Sequence, residues 1–292
     1  MKDPLYTGLR QKRVTGPDYD ALIDEFVQGV KEVYGENTLI QWEDFGNKNA
    51  NRLLVKYQKK CCTFNDDIQG TASVTLAGIF GSLKISGKKI SDHRILIVGA
   101  GEAGIGIANL TAMAIAEEKG IAFEEAQTSI FLIDSRGLIT KDRPSGGINH
   151  EKAPYAHPHK HIDNLRDAVM DISPSILIGV TAMPKIFTEE IVKHIASKHE
   201  MPLIFPLSNP TSKAECTAED CYKWTNGNCI FASGSPFGVV EHNGKKHVPG
   251  QGNNAYIFPG VALAIVSMKA TRVTGTFKEL TDRWLLFLCV CY

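Results

Sequence analysis

Apolar residues recur along this chain first with a helical period and later as short uninterrupted runs. Leu22, Phe26, Val30 and Val33 are spaced for one face of a helix over 18–34, with Gly35 as its stop. Residues 38–42 read as a short strand whose exit loop carries Glu43 and Asp44. A helix over 47–57, a second short strand at 61–64 and an Ala- and Gly-rich helix over 70–86 follow. From Arg94 strand and helix alternate. Residues 94–98 form a buried strand, 104–118 a helix, and 129–133 the next strand, ending on Asp134. Apolar runs at 175–180, 203–207 and 229–232 alternate with helical stretches near 188–198 and 217–224. This alternation predicts a parallel, doubly wound sheet. The polar stretch 141–161, rich in Pro, Gly and His, reads as a mobile loop.

The strand at 94–98 runs straight into Gly99-Ala100-Gly101-Glu102-Ala103-Gly104, which opens the next helix. In that setting GxGxxG is a dinucleotide fingerprint. Gly99 allows the tight turn, Gly101 admits the pyrophosphate and Gly104 lets helix meet strand, with phosphates at the positive helix N-terminus. A purely structural glycine turn is the alternative. Asp134 stands where an acid would bind the ribose and favour NAD. Ser135 and Arg136 directly after it, with Lys152 beyond, could instead hold a 2′-phosphate, which favours NADP.

Just upstream lie two acidic pairs, Glu43-Asp44 and Asp66-Asp67. Mg2+ and Mn2+ prefer hard oxygen ligands and few protein carboxylates, so two or three of these four suffice for a site. Helix caps and solvated turns are the alternative. A divalent cation beside a nicotinamide points to oxidation of a hydroxy acid. Asn209, in Ser208-Asn209-Pro210-Thr211 at the end of a buried strand, and Asn253-Asn254 can donate amides to a substrate carboxylate or to the nicotinamide. His157, His159 and His161 read as loop residues rather than a metal cluster. Cys216, Cys221 and Cys229 lack the spacing of a zinc site.

Lys plus Arg equals Asp plus Glu at 32 each, so no net charge recruits nucleic acid or an anionic membrane. An odd count of 7 cysteines without a signal sequence fits reduced thiols in the cytoplasm, with the mitochondrial matrix as the other option. No stretch is long enough to span a membrane.

Taken together, Trp42-Glu43-Asp44-Phe45 and the segments 63–72, 99–104, 207–216, 231–237 and 249–260 closely resemble malic enzyme, nearly continuously from about Asp3 to about Val266. The resemblance implies a Rossmann-type, mostly parallel α/β sheet preceded by part of a second α/β domain. Residues 1–69 would belong to the family's N-terminal domain, 70–268 to its NAD(P)-binding domain, and 269–292 to a divergent tail. It implies oxidative decarboxylation of malate to pyruvate and CO2 with NADP, or NAD, and with Mg2+ or Mn2+. By position, Glu43, Asp44 and Asp67 resemble the metal ligands, and Asp66 the acid that supports the catalytic lysine. Asn47 and Gly99 to Glu102 would touch the dinucleotide, and Asn209, Asn253 and Asn254 would meet malate or the nicotinamide. Ser135-Arg136 is similar to the Ser-Lys of NADP-using members. Full-length members are homo-oligomers.

The family's general acid tyrosine, general base lysine and malate-gripping arginine have no matching position, and the pattern is lost near Met268. A catalytically silent NAD(P)- and metal-binding fragment that modulates full-length subunits is therefore the alternative function. An unstable fragment with an exposed apolar end at 284–292 is a third.

Overall fold

The chain is described by a computed structural model that covers residues 3–46, 48–271 and 273. Helix α1 (Pro17–Tyr34) begins with proline in its first turn and ends at Gly35. Its buried face is not the expected one. Leu22, Phe26 and Val33 are 60%, 51% and 72% exposed, while Ile23 and Val27 are buried, with Tyr19 and Val30 partly covered. Positions 19, 23, 27 and 30 keep the helical period equally well. Contact with Trp42, Leu53 and Tyr57 decides between the two stripes.

Strand β1 (Ile40–Trp42), helix α2 (Ala50–Tyr57) and strand β2 (Thr63–Asn65) form a small parallel crossover. Ile40 lies opposite Thr63 and Trp42 opposite Asn65. A π-helical turn, Asp66–Gly70, leads directly into α3 (Thr71–Ser86).

The second part alternates as predicted: β3 (Ile95–Val98), α4 (Glu102–Lys119), the short α5 (Phe123–Ala126), β4 (Ile130–Asp134) and β5 (Gly137–Leu138). Then come α6 (Leu165–Ile172), β6 (Ile176–Gly179), α7 (Glu189–Lys198), β7 (Leu203–Pro206), α8 (Ala218–Trp224) and β8 (Ile230–Ser233). The hairpin β9 (Val240–His242) and β10 (Lys245–His247), β11 (Gly250–Gln251) and α9 (Phe258–Met268) complete the described elements. Among the described residues the main sheet has seven strands in the order β11-β8-β7-β6-β3-β4-β5. All its pairings are parallel except β4–β5.

Strands β3, β6 and β7 are buried at every position, as uninterrupted apolar runs require when both faces of a sheet are covered. Ile95 and Ile97 pack beneath α3 and α4 with Ile79, Ile107 and Ile115; Leu96 and Val98 face α6 and α7 with Val169, Ile191 and Ile195. The sheet order reverses between β3 and β6, and the crevice at their carboxyl ends is where such folds receive ligands.

The stretch 141–161, read as a mobile loop, is anchored at several points. Tyr155 is fully buried with its hydroxyl 2.7 Å from Asn109 Oδ1, and Thr140 bridges to His157. The His157 ring N–H donates to the Ile130 carbonyl at 2.7 Å, and His159 pairs with Asp171 at 2.9 Å. Asn47, expected at the dinucleotide, and the apolar run 284–292 lie outside the described residues. Among those described, no helix is long and apolar enough to cross a membrane.

Candidate active site

Because β1 and β2 are parallel and Trp42 sits opposite Asn65, the residues that follow each strand emerge side by side. Those residues are Glu43-Asp44 and Asp66-Asp67. One carboxylate oxygen from each of Glu43, Asp44 and Asp67 lies within 4.8 Å of the other two. Asp44 adopts a left-handed φ of 56°, and its backbone N–H donates to Asp67 Oδ2 at 2.8 Å. Three hard oxygens converging from two loops, two of the residues exposed, suit a small divalent cation that keeps open positions for water or substrate.

Asp66, beside Glu43, is buried, and its Oδ1 has no hydrogen-bond partner among the described residues. Burial, followed by the neighbouring Glu43 carboxylate, pushes its carboxyl from 3.8 up to about 7. Burial also raises Asp67, against the hydrogen bond from Asp44. A folded value above the unfolded one means that the folded chain binds the proton more tightly. That stabilisation is complete below about 4 and is lost as the pH rises through about 7. In chelator the chain is expected to melt higher at pH 5 than at pH 8, with a smaller difference in Asp66→Asn. An identical difference in the variant would rule Asp66 out as the source.

The fingerprint glycines divide into two kinds. Gly99 has φ 108°, and a Cβ there would lie 2.6 Å from the Val180 carbonyl oxygen. At Gly104 a Cβ would collide with the Gly99 carbonyl. Both are required by the turn itself. A Cβ on Gly101 meets nothing within 4 Å, and α4 starts there without a side-chain cap. The fold thus tolerates a side chain at Gly101, whereas a pyrophosphate over the helix N-terminus does not. Gly101→Val is expected to keep the melting temperature within a few degrees and to reduce NADP+ affinity at least about tenfold in a fluorescence titration. Unchanged affinity would leave these glycines with a structural role only.

Helix α4 packs on the π-helical turn: a Cβ at Gly106 would sit 3.1 Å from the Ile68 carbonyl. Fingerprint and carboxylates are thereby held on touching elements. Glu102 Oε1 accepts the Asn51 N–H at 3.3 Å, and the Asn51 amide donates to Glu151. The Asn253 carboxamide donates to the Gly234 carbonyl at 3.1 Å and accepts from Ala255 N–H at 2.9 Å. Asn254 packs against the turn that holds Asp66: a Cβ at Gly70 would lie 3.4 Å from Asn254 Cβ and would press on the Asp66 carboxylate. Asn209 Oδ1 accepts the Ser235 hydroxyl at 3.0 Å.

At the end of β4, Asp134 is engaged on both oxygens. Arg143 Nη1 lies 2.7 Å from Oδ1 and Lys152 Nζ 2.7 Å from Oδ2, while the Arg136 N–H donates to Oδ1 at 2.9 Å. Ser135 and Arg136 are exposed beside them, with Arg136 Nη1 on the Ser145 carbonyl at 3.0 Å. Arg143 is buried and escaped the sequence reading because its partner lies nine residues back in a stretch taken for loop. Buried Glu215 and half-buried Thr181 escaped it as well; a charged residue seven positions after Ser208 was the available signal. Cys61, Cys62, Cys216, Cys221 and Cys229 are free and buried, with Cys221 and Cys229 Sγ 3.6 Å apart.

Sheet order, fingerprint and switch point define a doubly wound α/β protein of the dinucleotide-binding type, with an acidic cluster set against its first βα turn. Residues 68–284 match the family profile "Malic enzyme, NAD binding domain", and residues 1–58 match "Malic enzyme, N-terminal domain". The chain belongs to the malic enzyme family.

Among its relatives, the NADP-dependent malic enzyme of Anas platyrhynchos is 56% identical over 268 residues, covering 91% of this chain and 48% of that one. The mitochondrial NADP-dependent malic enzyme of Homo sapiens is 53% identical, covering 91% of this chain and 44% of that one. The chloroplastic form of Oryza sativa subsp. japonica is 52% identical over 94% and 43%. The chain spans about half the length of the curated relatives it matches. Its fold is shared with the crystal structure of the NAD-dependent malic enzyme from Thermotoga maritima, with a TM-score of 0.68, 24% identity, and coverage of 90% of this chain and 61% of that one. The Entamoeba histolytica malic enzyme matches with a TM-score of 0.67 and 25% identity over 89% and 48%.

Proposed function

We propose that this chain carries the metal and dinucleotide site for oxidation and decarboxylation of malate to pyruvate and CO2, with NADP as hydride acceptor. One observation carries this reading: the Glu43, Asp44 and Asp67 oxygens converge on a turn against which the fingerprint helix packs. Residues 1–69 supply the acidic pairs and 70–268 the dinucleotide domain.

Glu43, Asp44 and Asp67 would hold Mg2+ or Mn2+, which supplies Lewis-acid stabilisation for charge on a substrate oxygen. Asp66, held partly protonated near neutrality, can accept a bond from an ammonium or pass a proton on its free Oδ1. Gly99, Ala100, Gly101 and Glu102 frame the pyrophosphate at the start of α4, with Gly104 seating the helix. Asn209, Asn253 and Asn254 orient the carboxylate of malate or the carboxamide of nicotinamide. Arg143 and Lys152 both pair with the single Asp134 carboxylate, with Arg136 exposed beside it, and this positive excess favours a 2′-phosphate over a bare ribose. The free thiols agree with a cytoplasmic or matrix location, and homo-oligomers are expected of the complete protein.

The test is metal–substrate linkage. Malate is expected to bind the Mn2+-loaded chain at least about tenfold more tightly than the chelated chain, since ion and substrate share one site. Equal affinity in both states would remove the metal from substrate recognition.

A further inference from the structure

The loops after β6 and β7 share a buried charge to which the reading above gives no role. Glu215 is fully buried, yet every bond it accepts comes from those two loops. Its Oε1 accepts the Thr181 N–H and hydroxyl, both at 3.0 Å, and the Ser208 hydroxyl at 2.5 Å. The Ser208 N–H approaches Oε2 at 3.4 Å. Each hydroxyl also accepts: Ser208 Oγ from Ala182 N–H at 2.8 Å, and Thr181 Oγ1 from Met183 N–H at 3.0 Å. Space for the carboxylate comes from Gly179, where a Cβ would lie 2.6 Å from Glu215 Cδ.

Burying a carboxylate is costly, and an apolar side chain of similar volume would serve packing at least as well. The charge must therefore be explained by what it holds. Thr181 follows Val180, whose carbonyl is the wall against which Gly99 turns. Ser208 precedes Asn209, which is held in turn by Ser235 on the loop after β8. These loops edge the second half of the doubly wound sheet, opposite the half that carries the fingerprint and Asp134. In such sheets the dinucleotide lies across the two halves, with adenosine over the first and nicotinamide over the second.

We infer that Glu215 is a positioning residue for the nicotinamide half of the dinucleotide: by drawing Thr181 and Ser208 onto one carboxylate it sets the width of the crevice that receives that half. The inference rests on the dinucleotide reading above. Glu215→Gln keeps the volume but turns one acceptor into a donor facing Ser208. The probes are NADP+ and adenosine 2′,5′-bisphosphate, which carries the adenosine half alone. Glu215→Gln is expected to weaken NADP+ about tenfold and to leave the bisphosphate within about twofold. Ser208→Ala and Thr181→Val each remove one hydroxyl from the carboxylate. They are expected to weaken NADP+ about threefold with the same selectivity, and they carry the test if Glu215→Gln fails to fold. Equal weakening of both ligands would make Glu215 a structural residue and overturn the inference, as would no change in either. If the unaltered folded chain binds neither probe, the dinucleotide reading itself falls.

Discussion

Replacing Asp67 with alanine is expected to lower Mn2+ affinity by more than about 100-fold, beyond the usual cost of disturbing residues that only support a ligand. Asp67 does two things at once. It offers one of the three converging oxygens, and its Oδ2 receives the Asp44 N–H that fixes the left-handed turn. Its removal takes away a ligand and releases the loop that carries another. The sheet should survive, because Asp67 is only half-buried and lies outside the apolar clusters. Without metal the variant should be no less stable than the parent, since it relieves repulsion among neighbouring carboxylates. Titration of Mn2+ by electron paramagnetic resonance reads the affinity directly. An unchanged dissociation constant would exclude Asp67 from the site.

Asp134→Asn is expected to be the most destabilising polar substitution, at about 3–5 kcal/mol, a large part of a typical domain's stability. The Arg143 side chain is fully buried. Without the Asp134 carboxylate its charge has no counter-ion there, only neutral acceptors: the asparagine amide oxygen, the Gly146 carbonyl at 2.9 Å and the Gly137 carbonyl at 3.3 Å. Lys152 loses its counter-charge at the same time, and the segment from 136 to 152, which carries the 2′-phosphate candidates, loses its ion-pair ties to β4. Burial alone would push the Asp134 carboxyl up, but Lys152 and Arg143 outweigh it and hold the carboxyl below 3.8. The pair's contribution is therefore present above about pH 4 and is lost as the pH falls through that lower value. Urea unfolding at pH 7 measures the effect. A loss under about 1 kcal/mol would show that the buried arginine finds other acceptors.

The parallel sheet was legible in the sequence because its central strands β3, β6 and β7 are apolar at every position, a pattern that half-covered strands do not produce. The fingerprint glycines were legible from their place between a strand and a helix. Much else depended on contacts between distant residues. The face of α1 was misread because two stripes obey the same period, and only packing on Trp42 and Tyr57 separates them. Strand β5, with two residues, is too short for periodicity to mark, and helix α6 adjoins the polar stretch read as loop.

The four carboxylates could be named, but the convergence of Glu43, Asp44 and Asp67 depends on the parallel register of β1 and β2, which six residues of strand do not reveal. Composition also misled at 141–161, where polar groups taken for solvated ones bind Asp134, Ile130 and Asp171 instead. Glu215 was invisible for a related reason: its donors lie seven and thirty-four residues away.

The most direct measurement is reduction of NADP+ by the purified, folded chain in the presence of malate and Mn2+, with pyruvate followed alongside. NADPH and pyruvate are expected to appear in equal amounts, to require Mn2+, and to vanish in Asp67→Ala. A folded chain that binds NADP+ and Mn2+ yet forms neither product would contradict the proposed activity and leave a silent binding fragment in its place.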